Sequence, residues 1–249
     1  MSLGEVFADE AVARAYRCRP PYPTSVFALL RRRLVPPGRV LDAGAGTGAL
    51  ARWMTAFAER VDAVEPSAAM IEEGRRLPGG SDRRIRWIAG RAEDAPLDPP
   101  YGLITCGASL HWMDGGLVLP RFREALAPGA RVAVVDIENV HGPYREAVWA
   151  VTDRHAAVAR HPETPDAIEA VRASGLFTIE GEERTEPTPF EQSVDEYIEF
   201  LHSTSVLTRA QLGERAAAFD DEVRAVLARH GLERMRYGVI GSVTWALAR

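Results

Sequence analysis

Apolar positions follow two rhythms along this chain. Short apolar runs recur at 39–41, 61–64, 84–88, 103–106 and 132–137. They predict strands, the last apolar enough to be buried on both faces. Between them apolar positions fall three and four apart, the spacing of helices with one inward face. Residues 24–35 predict a helix stopped by Pro36-Pro37-Gly38, and Leu50, Trp53, Met54 and Phe57 line a second. Pro66-Ser67 opens a third, with Met70, Ile71 and Leu77 inward. Val118, Phe122 and Leu126 mark a fourth, ended by Pro128-Gly129. Strands alternating with helices predict an α/β fold, a mostly parallel sheet with helices on both faces.

Beyond residue 140 the rhythm becomes helical. Val148, Val151, His155 and Val158 share one helix face, and Thr164, Pro165 and Gly175 suit an N-cap, a first helical residue and a C-terminal stop. Ser193-x-x-Glu196 is a capping-box pattern for a helix through His202, and Leu212, Ala216, Phe219, Val223 and Leu227 form another stripe. Met235, Tyr237, Val239, Gly241, Val243, Trp245 and Leu247 then alternate, as in a strand. We read 1–249 as a single domain. It comprises N-terminal cap helices (1–35), a core (36–140), a helical insertion (141–233) and a final strand (234–249).

Composition narrows the chemistry. All 30 basic residues are Arg. Without Lys there is no Walker A loop, no Schiff-base enzyme and no kinase strand lysine. Cys18 and Cys106 alone can build neither a disulfide framework nor a cysteine zinc site. His141, His155, His161, His202 and His230 show no ligand spacing, so no metal is expected, and H-E-x-x-H and G-x-S-x-G are missing. A net charge of −5 argues against a general nucleic-acid binder. No apolar run approaches the length of a membrane span, and no secretory pattern opens the chain, so a cytoplasmic protein is expected.

The informative segment is Asp42-Ala43-Gly44-Ala45-Gly46-Thr47-Gly48, between a strand and a helix, where glycines let a ligand approach the backbone. Gly44-x-Gly46-x-x-Ala49 also satisfies a dinucleotide fingerprint, so the glycines alone leave two cofactor classes open. Asp42 tilts the balance, since a carboxylate there would repel a pyrophosphate but suits a cationic amino group. Glu65, at the end of the second strand, is placed to accept ribose hydroxyls. Ala92-Glu93-Asp94 follows the third strand, where a carboxylate could accept an adenine amino group.

Together, the run 40–48, then Glu65-Pro66-Ser67-x-x-Met70, then Ala92-Glu93-Asp94-Ala95-Pro96, resemble the class I S-adenosylmethionine-dependent methyltransferases. The small-molecule branch with ubiquinone-biosynthesis and trans-aconitate methyltransferases is the most similar. Ser109-Leu110-His111-Trp112 and Leu126-Ala127-Pro128-Gly129 are similar to it as well. Arg19-Pro20-Pro21-Tyr22-Pro23 resembles its N-terminal segment, which folds over the cofactor. The resemblance implies a Rossmann-like seven-stranded sheet with an antiparallel last strand, and S-adenosyl-L-methionine as cofactor. It assigns cofactor contacts to Tyr16, Arg19, Asp42, Ala43, Gly44, Gly46, Thr47, Gly48, Glu65, Pro66, Ser67, Met70, Ala92, Glu93, Asp94, Cys106, Gly107 and Trp112. For adenine it favours Asp94, leaving Glu93 to face water.

The implied activity is methyl transfer to a small-molecule acceptor by a monomer or homodimer, without nucleic acid or membrane partners. His111 is the candidate general base, with a pocket wall as its other reading. An NAD(P)-dependent oxidoreductase and a non-catalytic S-adenosylmethionine-binding protein remain alternatives. Arg31-Arg32-Arg33 reads as a solvated helix face. Asp98-Pro99-Pro100-Tyr101 spells a base-flipping motif of DNA methyltransferases. It precedes the fourth strand instead of following it, so it reads as a loop at the opposite edge of the sheet.

Overall fold

A computed structural model describes residues 5–156 and 166–249. Its strands are β1 (Arg39–Ala43), β2 (Arg60–Glu65), β3 (Ile85–Ala89), β4 (Leu103–Gly107), β5 (Arg131–Val140), β6 (Phe177–Arg184), β7 (Thr188–Ser193) and β8 (Arg234–Ala248). Its helices are α1 (Glu10–Ala15), α2 (Thr24–Arg33), α3 (Ala51–Met54), α4 (Ala68–Arg76), α5 (Gly115–Ala125), α6 (Arg145–His155), α7 (Ala167–Ala173), α8 (Val194–His202), α9 (Arg209–Leu212) and α10 (Ala216–Arg229). The sheet order is β3-β2-β1-β4-β5-β8-β6, with β7 also paired to β8. Strands β1 to β5 pair in parallel, and β8 runs antiparallel to both β6 and β7.

The chain divides into two compact units. The first comprises Met1–Pro21, Asn139–Glu163 and Pro187–Val239, and the second Tyr22–Glu138, Thr164–Glu186 and Ile240–Arg249. In the second unit, alternate strand residues feed two cores, as expected where a parallel sheet is covered on both faces. Val40, Leu103, Ala133 and Val135 pack with Val26 and Leu30 of α2 and Met54 of α3. Leu41, Ile104, Val132 and Val134 pack with Val118 and Phe122 of α5 and Val171 of α7. At Gly241 a Cβ would lie 2.2 Å from Val26 Cγ2, so only glycine lets α2 seat there. In the first unit, Phe219, Val223 and Leu227 form the buried stripe of α10, and Ser193 and Glu196 form the capping box of α8.

Several sequence readings need correction. The insertion is not wholly helical, because β6 and β7 lie within it, and the described sheet has eight strands rather than seven. β6 reads Phe-Thr-Ile-Glu-Gly-Glu-Glu-Arg, charged and largely exposed, so its strand character comes from pairing with β8 and not from an apolar pattern. Trp53 points outward at 55% exposure, because α3 is a single short turn of helix. β5 is buried only through Val135. Asp166, not Thr164, caps α7, while Thr164, Pro165 and Val158 lie outside the described residues. No helix among the described residues is long and apolar enough to cross a membrane.

Candidate active site

Four strand ends of the second unit converge on one region. After β1 the chain turns through Gly44, Gly46 and Gly48, with φ of +67°, +56° and +74°. These left-handed values favour glycine. A Cβ on Gly44 would lie 2.6 Å from Ser109 Cβ in the loop after β4. One on Gly48 would lie 2.7 Å from the Trp87 ring, which also packs against Gly74 of α4. Ser109 Oγ donates to the Ala43 carbonyl at 2.7 Å, tying the two loops together. β1 and β4 are adjacent strands at which the chain changes direction across the sheet, the place where open α/β sheets bind ligands.

Glu65, the last residue of β2, is 6% exposed. Its Oε2 accepts the Gly46 N–H at 2.8 Å and its Oε1 the Ser67 N–H at 2.9 Å. Burial raises its pKa, and the two backbone donors partly offset this. Ser67 in turn caps α4 by accepting from the Met70 N–H. The turn after β3 joins the same region, since the Gly90 N–H donates to the Glu65 carbonyl at 3.1 Å.

Asp42 has a different orientation from the one anticipated. It is 1% exposed, and its carboxylate lies beneath the glycine turn. There it accepts the Thr105 hydroxyl at 2.8 Å and the Ala51 N–H of α3 at 3.1 Å. Burial raises its pKa to about 7 against these hydrogen bonds. Its charge is therefore no argument against a pyrophosphate. Strand alternation accounts for this placement, because Asp42 shares the face of Val40, which α3 covers.

The remaining expected residues divide. The Ala43, Ala92 and Cys106 side chains sit in the core with Leu41 and Ile104, and burial pushes the Cys106 thiol strongly up. Thr47 and Met70 are buried, while Pro66 and Asp94 are exposed. Glu93 does not face water freely. It accepts the Asp114 N–H at 2.9 Å and Arg91 at 2.9 Å, which lowers its pKa against burial. Gly107 ends β4, where a Cβ would lie 2.8 Å from both Tyr22 Oη and Leu50 Cδ1. His111 and Trp112 follow with ring centroids 4.8 Å apart, Trp112 largely exposed. Burial lowers the His111 pKa and the Asp136 carboxylate opposes the shift.

Tyr16 and Arg19 belong to the first unit. Arg19 lies 4.0 Å over the Tyr16 ring and donates to Ser203 Oγ at 2.9 Å and to the Ser203 carbonyl at 2.8 Å. Thr105, Ser109 (named only as the start of the Ser109–Trp112 motif) and Trp87 were not anticipated as site residues. A lone Thr in the apolar run of β4 and a glycine in the middle of α4 are the signals that point to the first and last. The Asp98–Tyr101 loop does lie at the amino ends of the strands. There Tyr101 donates to buried Asp62 at 2.6 Å, and Asp98 pairs with Arg60.

Residues 40–130 match a family profile described as a methyltransferase domain. An uncharacterized methyltransferase of Mycobacterium tuberculosis is 32% identical over 127 residues, 50% of this chain and 49% of that protein. A trans-aconitate 2-methyltransferase of Methylobacterium nodulans is 31% identical over 141 residues, 55% of this chain and 49% of that protein. The chain spans about half the length of the curated relatives it matches. A solved structure from Anaeromyxobacter dehalogenans, provisionally assigned as a type II methyltransferase, is 25% identical, with a TM-score of 0.62. That match covers 93% of this chain and 97% of the other. The fold is thus the Rossmann-like α/β fold seen in solved methyltransferase structures, and the segment carrying the glycine turn and Glu65 is similar to a methyltransferase domain.

Proposed function

We propose that the protein transfers a methyl group from S-adenosylmethionine to a small-molecule acceptor. The observation that carries this reading is the hydrogen-bonded unit of Glu65 and the glycine turn, inside the segment matched as a methyltransferase domain. The residues suit that cofactor. Gly44, Gly46 and Gly48 leave the backbone open to close approach, the Glu65 carboxylate is placed for ribose hydroxyls, and exposed Asp94 is available to an adenine amino group. Asp42 acts from below as a brace that fixes the turn.

When bound, the sulfonium supplies an already electrophilic methyl group. The protein's task is then to hold the acceptor in line and to exclude water. A proton need be removed only from an acceptor that arrives protonated. His111, held toward its neutral form by burial, is the group after β4 suited to take it. Calorimetry with S-adenosylhomocysteine and with NAD tests the reading. The first ligand is expected to bind and the second to give no heat. Tight NAD binding, or no binding of S-adenosylhomocysteine, overturns it.

A further inference from the structure

In the second unit, two side chains tie the glycine turn to residues 77–80, the loop that follows α4. Arg52 of α3 reaches both segments. Its Nε donates to the Thr47 carbonyl at 3.1 Å and its Nη1 to the Pro78 carbonyl at 2.9 Å. Trp87 of β3 makes the same connection with its ring. The ring edge stands 2.7 Å from where a Cβ on Gly48 would lie and 2.6 Å from one on Gly74, so both glycines are occupied by one indole. The indole Nε1 donates to the Gly80 carbonyl at 3.0 Å. A Cβ on Gly80 would lie 1.7 Å from the Gly74 carbonyl oxygen, so the loop and α4 meet backbone to backbone.

This use of Arg52 is costly. The side chain is half-buried, and no carboxylate among the described residues pairs with it, so burial lowers its pKa. A charge withdrawn from water without an ion pair has to recover its lost hydration through hydrogen bonds. The carbonyls it meets show what that cost secures. The Thr47 carbonyl and the Gly48 N–H belong to one planar peptide unit, so fixing one fixes the other. Arg52 holds the carbonyl end, while the Gly48 N–H donates to the Ala45 carbonyl at 2.8 Å. Glu65 holds the neighbouring Gly46 N–H, so the turn is anchored at both of its later glycines. Neither Arg52 nor Trp87 belongs to the glycine pattern, and each arrives from an element on another side of the turn.

We propose that Arg52 and Trp87 are positioning residues that lock the Thr47–Gly48 peptide against the 77–80 loop and so hold the glycine turn preformed for its ligand. A preformed turn spares the ligand the entropy of ordering it, which appears as affinity. The locking of the turn stands on these residues alone. That the ligand gaining from it is S-adenosylmethionine rests on the function proposed above.

Arg52→Met keeps an apolar stem and deletes the guanidinium, and Trp87→Phe keeps a ring but loses the N–H and the edge between the glycines. Tyr101→Phe, at the opposite edge of the sheet, serves as the comparison for a loss of stability alone. Amide hydrogen exchange across residues 44–48 is measured on the full chain without ligand, and S-adenosylhomocysteine affinity by calorimetry. Exchange there should be roughly fivefold or more faster in Arg52→Met and Trp87→Phe than in Tyr101→Phe. Affinity should fall about tenfold in Arg52→Met and about threefold in Trp87→Phe, while Tyr101→Phe keeps it within twofold. Circular dichroism checks folding. Arg52→Lys, which keeps the charge but cannot span two carbonyls, replaces Arg52→Met if that variant does not fold. Exchange at 44–48 no faster than in Tyr101→Phe overturns the proposal, as does equal S-adenosylhomocysteine binding by the parent and both variants. If the parent itself does not bind S-adenosylhomocysteine, the function proposed above fails, and exchange alone still decides whether Arg52 and Trp87 hold the turn.

Discussion

The Glu65 carboxylate, at the end of β2, reaches across the site to accept the Gly46 N–H at 2.8 Å while its other oxygen holds the Ser67 N–H. One side chain thus sets the glycine turn and the start of α4 together. Its position also leaves each carboxylate oxygen a further lone pair for a ligand hydroxyl.

Replacing Glu65 by Gln leaves one of those N–H groups without an acceptor and removes the charge. Hydrogen bonds to a charged acceptor are worth about 1.5–3 kcal/mol, so affinity for S-adenosylhomocysteine should fall roughly tenfold to more than a hundredfold. Calorimetry on the parent and Glu65→Gln measures this. An unchanged affinity would remove Glu65 from the cofactor site.

Asp42 makes stability depend on pH. Its folded pKa, about 7, stands above the ordinary carboxylate value of about 3.9. The folded chain therefore keeps a proton that the unfolded chain loses. The contribution is complete below about pH 4 and is lost as pH rises through about 7. Asp42→Asn can hold Ala51 with its oxygen and Thr105 with its amide, and it does not titrate. Relative to the parent, the variant should gain roughly 2–3 kcal/mol between pH 5 and pH 8 in urea unfolding. A difference that stays constant across that range would show that Asp42 does not titrate there.

For His111 the expected signature is kinetic. His111→Asn should lower turnover by about 10²–10⁴-fold with cofactor affinity nearly unchanged. The parent's pH–rate profile should rise with a midpoint below the ordinary histidine value of about 6.5, because burial favours the neutral ring. Asp136→Asn removes the charge that opposes this shift, so the midpoint should move lower still. Near-normal turnover in His111→Asn would reduce the residue to a pocket wall.

Tyr101 offers a control at the far edge of the sheet. Tyr101→Phe deletes the hydroxyl that donates to buried Asp62 at 2.6 Å. Chemical denaturation should report a loss of about 1.5–3 kcal/mol, typical of a hydrogen bond to a charged group. S-adenosylhomocysteine affinity should stay within twofold. A large affinity loss would mean that this Pro-rich loop takes part in ligand binding.

Much of this protein was legible locally. Strands buried on both faces must be continuous apolar runs, so β1, β2, β4 and the first half of β5 stand out, and β8 alternates because only one of its faces is thoroughly buried. Ser193-x-x-Glu196 announces α8 because capping involves only neighbouring residues. Glu65 is identifiable because the residue that ends a strand before a helix must lie at the carboxyl edge of the sheet. Other features are decided by distant partners. β6 is charged, and β8, more than fifty residues further on, makes it a strand. Asp42 turns inward because Thr105, its register partner on β4, and Ala51 of α3 offer it hydrogen bonds beneath the turn. Glu93 is drawn from water by the start of α5. His141 reads as an unremarkable histidine until strand pairing and helix packing place three tyrosines around it. Periodicity records which face of an element is buried, but the polar partner of a buried side chain is chosen by strand register and helix packing.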